Sequence, residues 1–362
     1  MTNSSTNPPE SSASAVAPGN VDAVTTDGML DPALRIFALS VSAIGFGYVF
    51  NAYLIFWHDW PGIGKLLGQL GLFGLETPSP ELDGGEMLLG AVQLLIYLGS
   101  IAGIAAYVLR KARRTLHHDA ETLAATAAYI ARAAFWAVLL VGLADAALSF
   151  LHVEGFLSDV FGKSLAANLE RSAFRGLWVH YPLMVASLII AVFNRTPAFV
   201  WLALLVVMGE LQIVFLRFIF SYEQTFMTDL VRFWYGALFL FSSAYTLLHE
   251  GHVRVDVLYA GFSERQKAWC NTIGSVGLGL PVCWVILTMG LATKSSVIAG
   301  PLLIFEITQS GFGMYVKYLM AGFLLIYALS MMVQFMSSFL NNVGILLREP
   351  DAEPPVAEVQ PI

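Results

Sequence analysis

Eight apolar stretches, each about as long as a bilayer is thick, leave this chain little choice of fold. A helix needs about 20 apolar residues to cross a hydrocarbon core of about 30 Å. Such stretches run Leu34–Trp57, Met87–Leu109, Ala133–Leu151, Leu177–Phe193, Ala198–Phe220, Val231–Leu248, Trp269–Leu291 and Gly313–Phe339. Charged residues make up only 12% of the 362, about half the share in a soluble domain. Too few solvated groups remain to coat a globular surface, and the mean hydropathy of +0.69 agrees. The expected fold class is an all-α integral membrane protein of about eight transmembrane helices. Gly99, Gly103, Gly274, Gly277 and Gly279 inside these stretches suit helices that pack closely in lipid. Pro281 should bend the seventh locally.

Lysine and arginine placement sets the orientation. Arg110, Lys111, Arg113 and Arg114 fall in the second connection, Arg195 in the fourth, and Arg254, Arg265 and Lys267 in the sixth. The first connection holds Lys65 against Asp59, Glu76, Glu81, Asp83 and Glu86, and the seventh holds Lys294. These loops alternate, which puts both termini in the cytoplasm. The third connection, with Lys163, Arg171 and Arg175, fits least well. A net charge of −7 excludes a nucleic-acid binder held by counterion release. Cys270 and Cys283 lie about 20 Å apart on one helix and cannot bridge each other.

The ends read as disordered tails. Residues 1–30 are rich in Ser, Thr, Asn, Pro and Ala, without the basic start or cleavage site of a signal peptide. Residues 349–362 are proline-rich. Between them lie two membrane regions of four helices each, 31–196 and 197–348, with no convincing internal repeat. Ile63–Leu75 and Phe156–Arg175 place apolar groups at helical spacing beside polar ones. They suit either the outer headgroup layer or loops folded over the helix ends.

Phe215–Ser263 carries the most specific pattern. Leu216, Arg217, Phe218 and Phe220 end the fifth stretch, Asp229, Leu230 and Arg232 open the sixth, and His252, Arg254, Asp256 and Tyr259 follow it. These motifs, without gaps, resemble the small membrane permease subunit (DctQ type) of tripartite ATP-independent periplasmic (TRAP) transporters. Tyr315, Val316, Lys317 and Gln334 resemble that family's last helix. The sequence departs from the pattern at Thr228, Phe226, Tyr222 and Glu223. The resemblance covers about Ala198–Leu347, so residues 1–197 are an addition in front of it.

The resemblance implies a small permease subunit of a Na⁺-coupled symporter in a bacterial inner membrane. Its partners would be a large permease that carries solute and Na⁺ in elevator fashion and a periplasmic solute-binding protein. Eight helices are too few to contain the large permease, which should therefore be a separate chain. The solute implied is an organic acid, Na⁺ belongs to the larger partner, and no cofactor is expected in this chain. The extra helices should widen the scaffold, their outer segments meeting lipid headgroups or the binding protein.

Side by side with the resemblance stand readings of single residues. His252, Arg254 and Asp256 alternate with Val253, Val255 and Val257, so an extended stretch points its charges one way. Arg254 and Asp256 can pair with each other, grip a partner, or form a basic membrane edge. Asp229 and Arg232 can pair three apart at a helix start. Asp145 and Glu210 are ionisable groups inside spans, either functional or bonded to neighbouring helices. His152 and His180 sit at similar depth on adjacent helices, the basis of an alternative class, a haem- or quinone-binding redox anchor. A stand-alone channel or carrier is a third possibility. No nucleophile elbow, phosphate loop or metal-spacing motif is present, so the chain is not expected to be an enzyme.

Overall fold

A computed structural model describes residues 30–194, 199–222, 225–248, 259–307 and 313–349. Among them the regular structure is helical throughout. The elements are α1 (Leu30–His58), α2 (Ile63–Gln69), α3 (Gly84–Arg110), α4 (Leu116–Val153), α5 (Leu157–Phe161), α6 (Lys163–Leu169), α7 (Ser172–Arg175) and α8 (Tyr181–Phe193). They are followed by α9 (Phe199–Phe220), α10 (Thr225–Leu248), α11 (Glu264–Gly274), α12 (Leu280–Gly290), α13 (Ala299–Ile304) and α14 (Lys317–Leu347). Seven helical runs are long and apolar enough to cross a membrane. The expected sixth span, α10, is 24 residues long but carries Asp229, Arg232 and several hydroxyls, which lowers its hydropathy. It packs on α4, α9 and α14.

Two of the long runs contain a wider, π-helical turn just before a proline. Gly176–His180 joins α7 to α8 ahead of Pro182, and Ser275–Gly279 joins α11 to α12 ahead of Pro281. Proline lacks an N–H and crowds the carbonyl four residues back. A wider turn absorbs that misfit without ending the helix.

α14 is the axis of the bundle. It packs along α4 and α10 and against α1, α11 and α12. One core cluster joins Phe135, Val138 and Val141 of α4 to Phe233, Trp234 and Phe241 of α10 and to Tyr318 and Phe323 of α14. A second joins Leu116, Ala120, Leu123 and Ala127 of α4 to Val333, Met336 and Leu340 of α14. The basic connection read from the sequence is therefore shorter than expected. α4 starts at Leu116 and runs 38 residues, about 57 Å, because an i, i+4, i+7, i+11 apolar stripe docks its first turns on α14. Gly142 lets α10 approach, since a Cβ there would lie 2.5 Å from the Trp234 indole nitrogen. The space beside Gly99 and Gly103 is open instead, so neither mediates close packing within the chain.

Side-chain ties show which connections share an end of the bundle. At one end, Arg35 donates to the Lys111 and Arg114 carbonyls at 3.1 Å each. At that same end Glu349 accepts from the Leu116 N–H at 3.0 Å. At the other, Lys294 pairs with Asp59 at 2.6 Å and the Tyr222 hydroxyl donates to Glu154. The acidic first connection and Lys294 thus lie together. Within that first connection Asp83 and Glu86 form a capping box on α3. The Gln69 side chain bridges the backbone of Leu82, as acceptor at 2.6 Å and donor at 3.1 Å.

Phe156–Arg175 folds as three short helices, α5 to α7. Leu157, Ala166 and Leu169 pack under Leu148 of α4, while Phe156, Val160, Phe161 and Leu165 remain exposed. The segment is both a cover for the helix ends and an outward apolar surface.

Candidate functional site

The lead into α14 is held by two buried carboxylates that come from different halves of the chain. Asp145 of α4 accepts from the Tyr315 N–H at 2.8 Å. Asp229 of α10 accepts from the adjacent Met314 N–H at 3.1 Å. Amides ahead of a helix carry positive partial charge, so carboxylates are favoured there. The chain reaches this point because α4, α10 and α14 share one core.

Around Asp145 the polar groups form a closed set. Its other oxygen takes Arg175 Nη1 at 3.0 Å and His180 Nε2 at 3.0 Å. Arg175 also donates to the Leu169 carbonyl at 2.9 Å and to Ser149 Oγ at 3.3 Å. Its guanidinium lies 4.0 Å from the centre of the Tyr315 ring. His180 Nδ1 meets the Tyr318 hydroxyl at 2.8 Å. With the proton on Nε2 facing the carboxylate, Nδ1 accepts from Tyr318 and both ring nitrogens are used. Asp145, Arg175, His180 and Tyr318 are each no more than 1% exposed. Buried charges of this kind persist only when paired and hydrogen-bonded. Chemically the cluster is a clasp: its polar groups are used on one another, and it joins α4 and the α7–α8 run to the start of α14.

Arg175, Tyr315 and Tyr318 are the members that sequence reasoning missed. Arg175 sat in a segment read as an amphipathic cover, and Tyr315 contributes a backbone amide that no side-chain pattern announces. Asp145 lies eight residues from the end of α4, about 12 Å by helical rise, nearer that end than a mid-membrane position. His152 and His180 do not converge. His152 Nδ1 pairs with Glu170 at 3.3 Å, whereas both nitrogens of His180 are engaged by Asp145 and Tyr318. The geometry gives a two-histidine haem clamp no support.

The remaining motif residues fall into two groups. Asp229 is turned inward to Met314, whereas Arg232 is exposed, so the two point apart. Tyr259 donates to Asn271 Oδ1 at 3.2 Å, and the Lys267 ammonium sits 5.8 Å over its ring. Arg217, Phe218 and Phe220 project from the end of α9, with Phe218 81% exposed. His252, Arg254 and Asp256 lie outside the described residues.

Glu210 is unlike Asp145. It is exposed on α9, between Val207 and Val214, which are exposed as well. It stands eleven residues into the helix, about 17 Å along it and so close to mid-span. Only Leu202 and Gly209 of α9 are fully buried against the rest of the chain.

Comparison with known proteins bears on one part of the molecule. Residues 204–344 match the family model described as tripartite ATP-independent periplasmic transporters, DctQ component. No curated protein and no solved structure matches the chain. The matched segment runs from α9 through most of α14 and contains Arg217, Asp229, Arg232 and Tyr259. Four long helical runs lie before it on the N-terminal side, and Asp145 clasps the third and fourth of them to the start of α14. Within this multi-pass membrane chain, residues 204–344 are thus similar to the DctQ component of tripartite ATP-independent periplasmic transporters.

Proposed function

We propose that the chain is the small permease subunit of a Na⁺-coupled TRAP transporter of a bacterial inner membrane, with both termini cytoplasmic, importing an organic-acid-type solute. In this reading a separate large permease carries solute and Na⁺ by an elevator motion. A periplasmic binding protein delivers the solute, and this chain braces the part that stays still. The first four helices enlarge the brace.

The observation that carries the reading is Glu210. A carboxylate at the centre of a span costs about 2.5–3.5 kcal/mol against lipid even on insertion-based scales. Such residues face protein or water, yet Glu210 faces away from its own chain. A second membrane polypeptide covering α9 removes that cost by offering a hydrogen-bond donor. Arg217, seven residues on, and the aromatic residues at the end of α9 extend the same surface. The inward clasp leaves this surface free, since α4, α10 and α14 are committed to one another.

The test is co-purification of the large permease with the tagged chain in mild detergent, alongside solute uptake in cells. The unaltered chain should retain the larger subunit, and Glu210→Leu should retain at least about tenfold less and slow uptake. Full retention and uptake by the Glu210→Leu form would show that α9 does not make the contact. Failure of any larger membrane chain to co-purify with the unaltered protein would end the reading itself.

A further inference from the structure

The turn from α3 to α4 is Arg110-Lys111-Ala112-Arg113-Arg114, four cations in five residues, and these residues line a shallow pocket. Positive charge beside a membrane is common, but this turn is built rather than loose. The Arg35 side chain, 1% exposed, reaches it from α1 and donates through Nη1 to the carbonyls of Lys111 and Arg114 at 3.1 Å each. Asp119 holds Arg35 in place at 2.6 Å. The Arg114 N–H closes the turn on the Lys111 carbonyl at 3.1 Å. Tyr107 then gathers two of the cations, with Lys111 Nζ 4.8 Å over its ring and Arg114 Nη1 donating to its hydroxyl at 2.7 Å.

Nearby carboxylates do not neutralise the cluster. Asp119 is engaged by Arg35, Glu121 by His117 at 3.5 Å, and Glu349 by the N–H groups of Leu116 and His117. Among the described residues none of Arg110, Lys111, Arg113 and Arg114 forms an ion pair. Arg110, Lys111 and Arg113 are exposed. The position is the boundary of two spans, one ending at Arg110 and the other starting at Leu116. Below it the outward surface of α3 is apolar, with Leu95, Leu98 and Leu109 more than half exposed and open space beside Gly99 and Gly103. Exposed guanidinium groups on a turn whose backbone is held, above an acyl-compatible helix face, fit a ligand with a phosphate at one end and hydrocarbon at the other.

We propose that this turn is a binding site for an anionic phospholipid, its headgroup phosphate held by Arg110 and Arg113 and its acyl chains lying on α3. The site belongs to the N-terminal helices, outside the matched residues 204–344, and so is independent of the transporter assignment.

The experiment is native mass spectrometry of the full chain released from detergent carrying phosphatidylglycerol, phosphatidylcholine or inorganic phosphate. The expected result is retention of phosphatidylglycerol in preference to phosphatidylcholine, with no displacement by millimolar phosphate. Arg110→Gln with Arg113→Gln should weaken retention roughly fivefold for each guanidinium neutralised, about 25-fold together, and the lysine pair should keep more of it. Circular dichroism checks that the variant remains helical; if it does not, the lipid competition on the unaltered chain decides alone. Equal retention of both lipids, unchanged retention in the folded glutamine variant, or phosphate competing as well as the lipid would each overturn the proposal.

Discussion

Replacing Asp145 by alanine tests the clasp where it is most exposed to contradiction. The substitution removes the acceptor for three donors: Arg175 at 3.0 Å, His180 at 3.0 Å and the Tyr315 N–H at 2.8 Å. Arg175 keeps its Leu169 and Ser149 partners but becomes a buried charge without a counter-ion. Breaking a buried pair by deleting one member costs about 3–5 kcal/mol. The amide and imidazole left behind push the loss toward the upper part of that range, since each unsatisfied buried donor costs about 1–3 kcal/mol. The assay is reversible unfolding in mixed micelles with increasing SDS, followed by tryptophan fluorescence. Asp145→Leu with Arg175→Met removes both charges and keeps volume, so it should recover much of the loss. A single substitution costing under about 1 kcal/mol would refute the reasoning. So would a double variant no more stable than the single, because the pair would not then be a desolvated one.

Two further outcomes follow from the packing and from the ties outside the bundle. Gly142→Val should lower stability by about 1–3 kcal/mol by the same unfolding assay, since a Cβ at 142 meets Trp234 at 2.5 Å and Leu230 at 3.3 Å; an unchanged midpoint would mean that α4 and α10 are not in close contact there. The Lys294 ammonium, by hydrogen bond and then by charge, holds the Asp59 carboxyl below its usual range. A depressed carboxyl stabilises the fold above its unfolded value, near 3.9, and loses that contribution as pH falls through the lower folded value. The small, salt-sensitive difference between the parent and Asp59→Asn at neutral pH should therefore begin to shrink near pH 4 and vanish once the pH lies below the folded value, and a difference that does not shrink as pH falls below 4 would contradict the pairing.

What the sequence made legible follows from how local each signal is. Helices announce themselves through apolar runs, and α10 is legible as a helix despite Asp229 and Arg232 because Phe233 through Leu248 keep the pattern, although its hydropathy leaves it outside the seven runs apolar enough to cross a membrane. The early turns of α4 were hidden by His117, His118, Asp119, Glu121 and Arg132, although the Leu116, Ala120, Leu123, Ala127 stripe was there to be read. Asp145 and Glu210 were visible as ions in apolar runs, but their different fates were not. Asp145 meets partners 30, 35 and 170 residues away, one of them a backbone amide, while Glu210 meets none in the described chain. Spacing along the sequence gives no access to either fact.

A photo-crosslinking amino acid placed at position 210 in living cells reports what covers the outward face of α9. The expected product is a single adduct with a separate, larger membrane polypeptide, and none from an outward position on α3 such as 95. Adducts only with lipid, or only with a second copy of this chain, would contradict it.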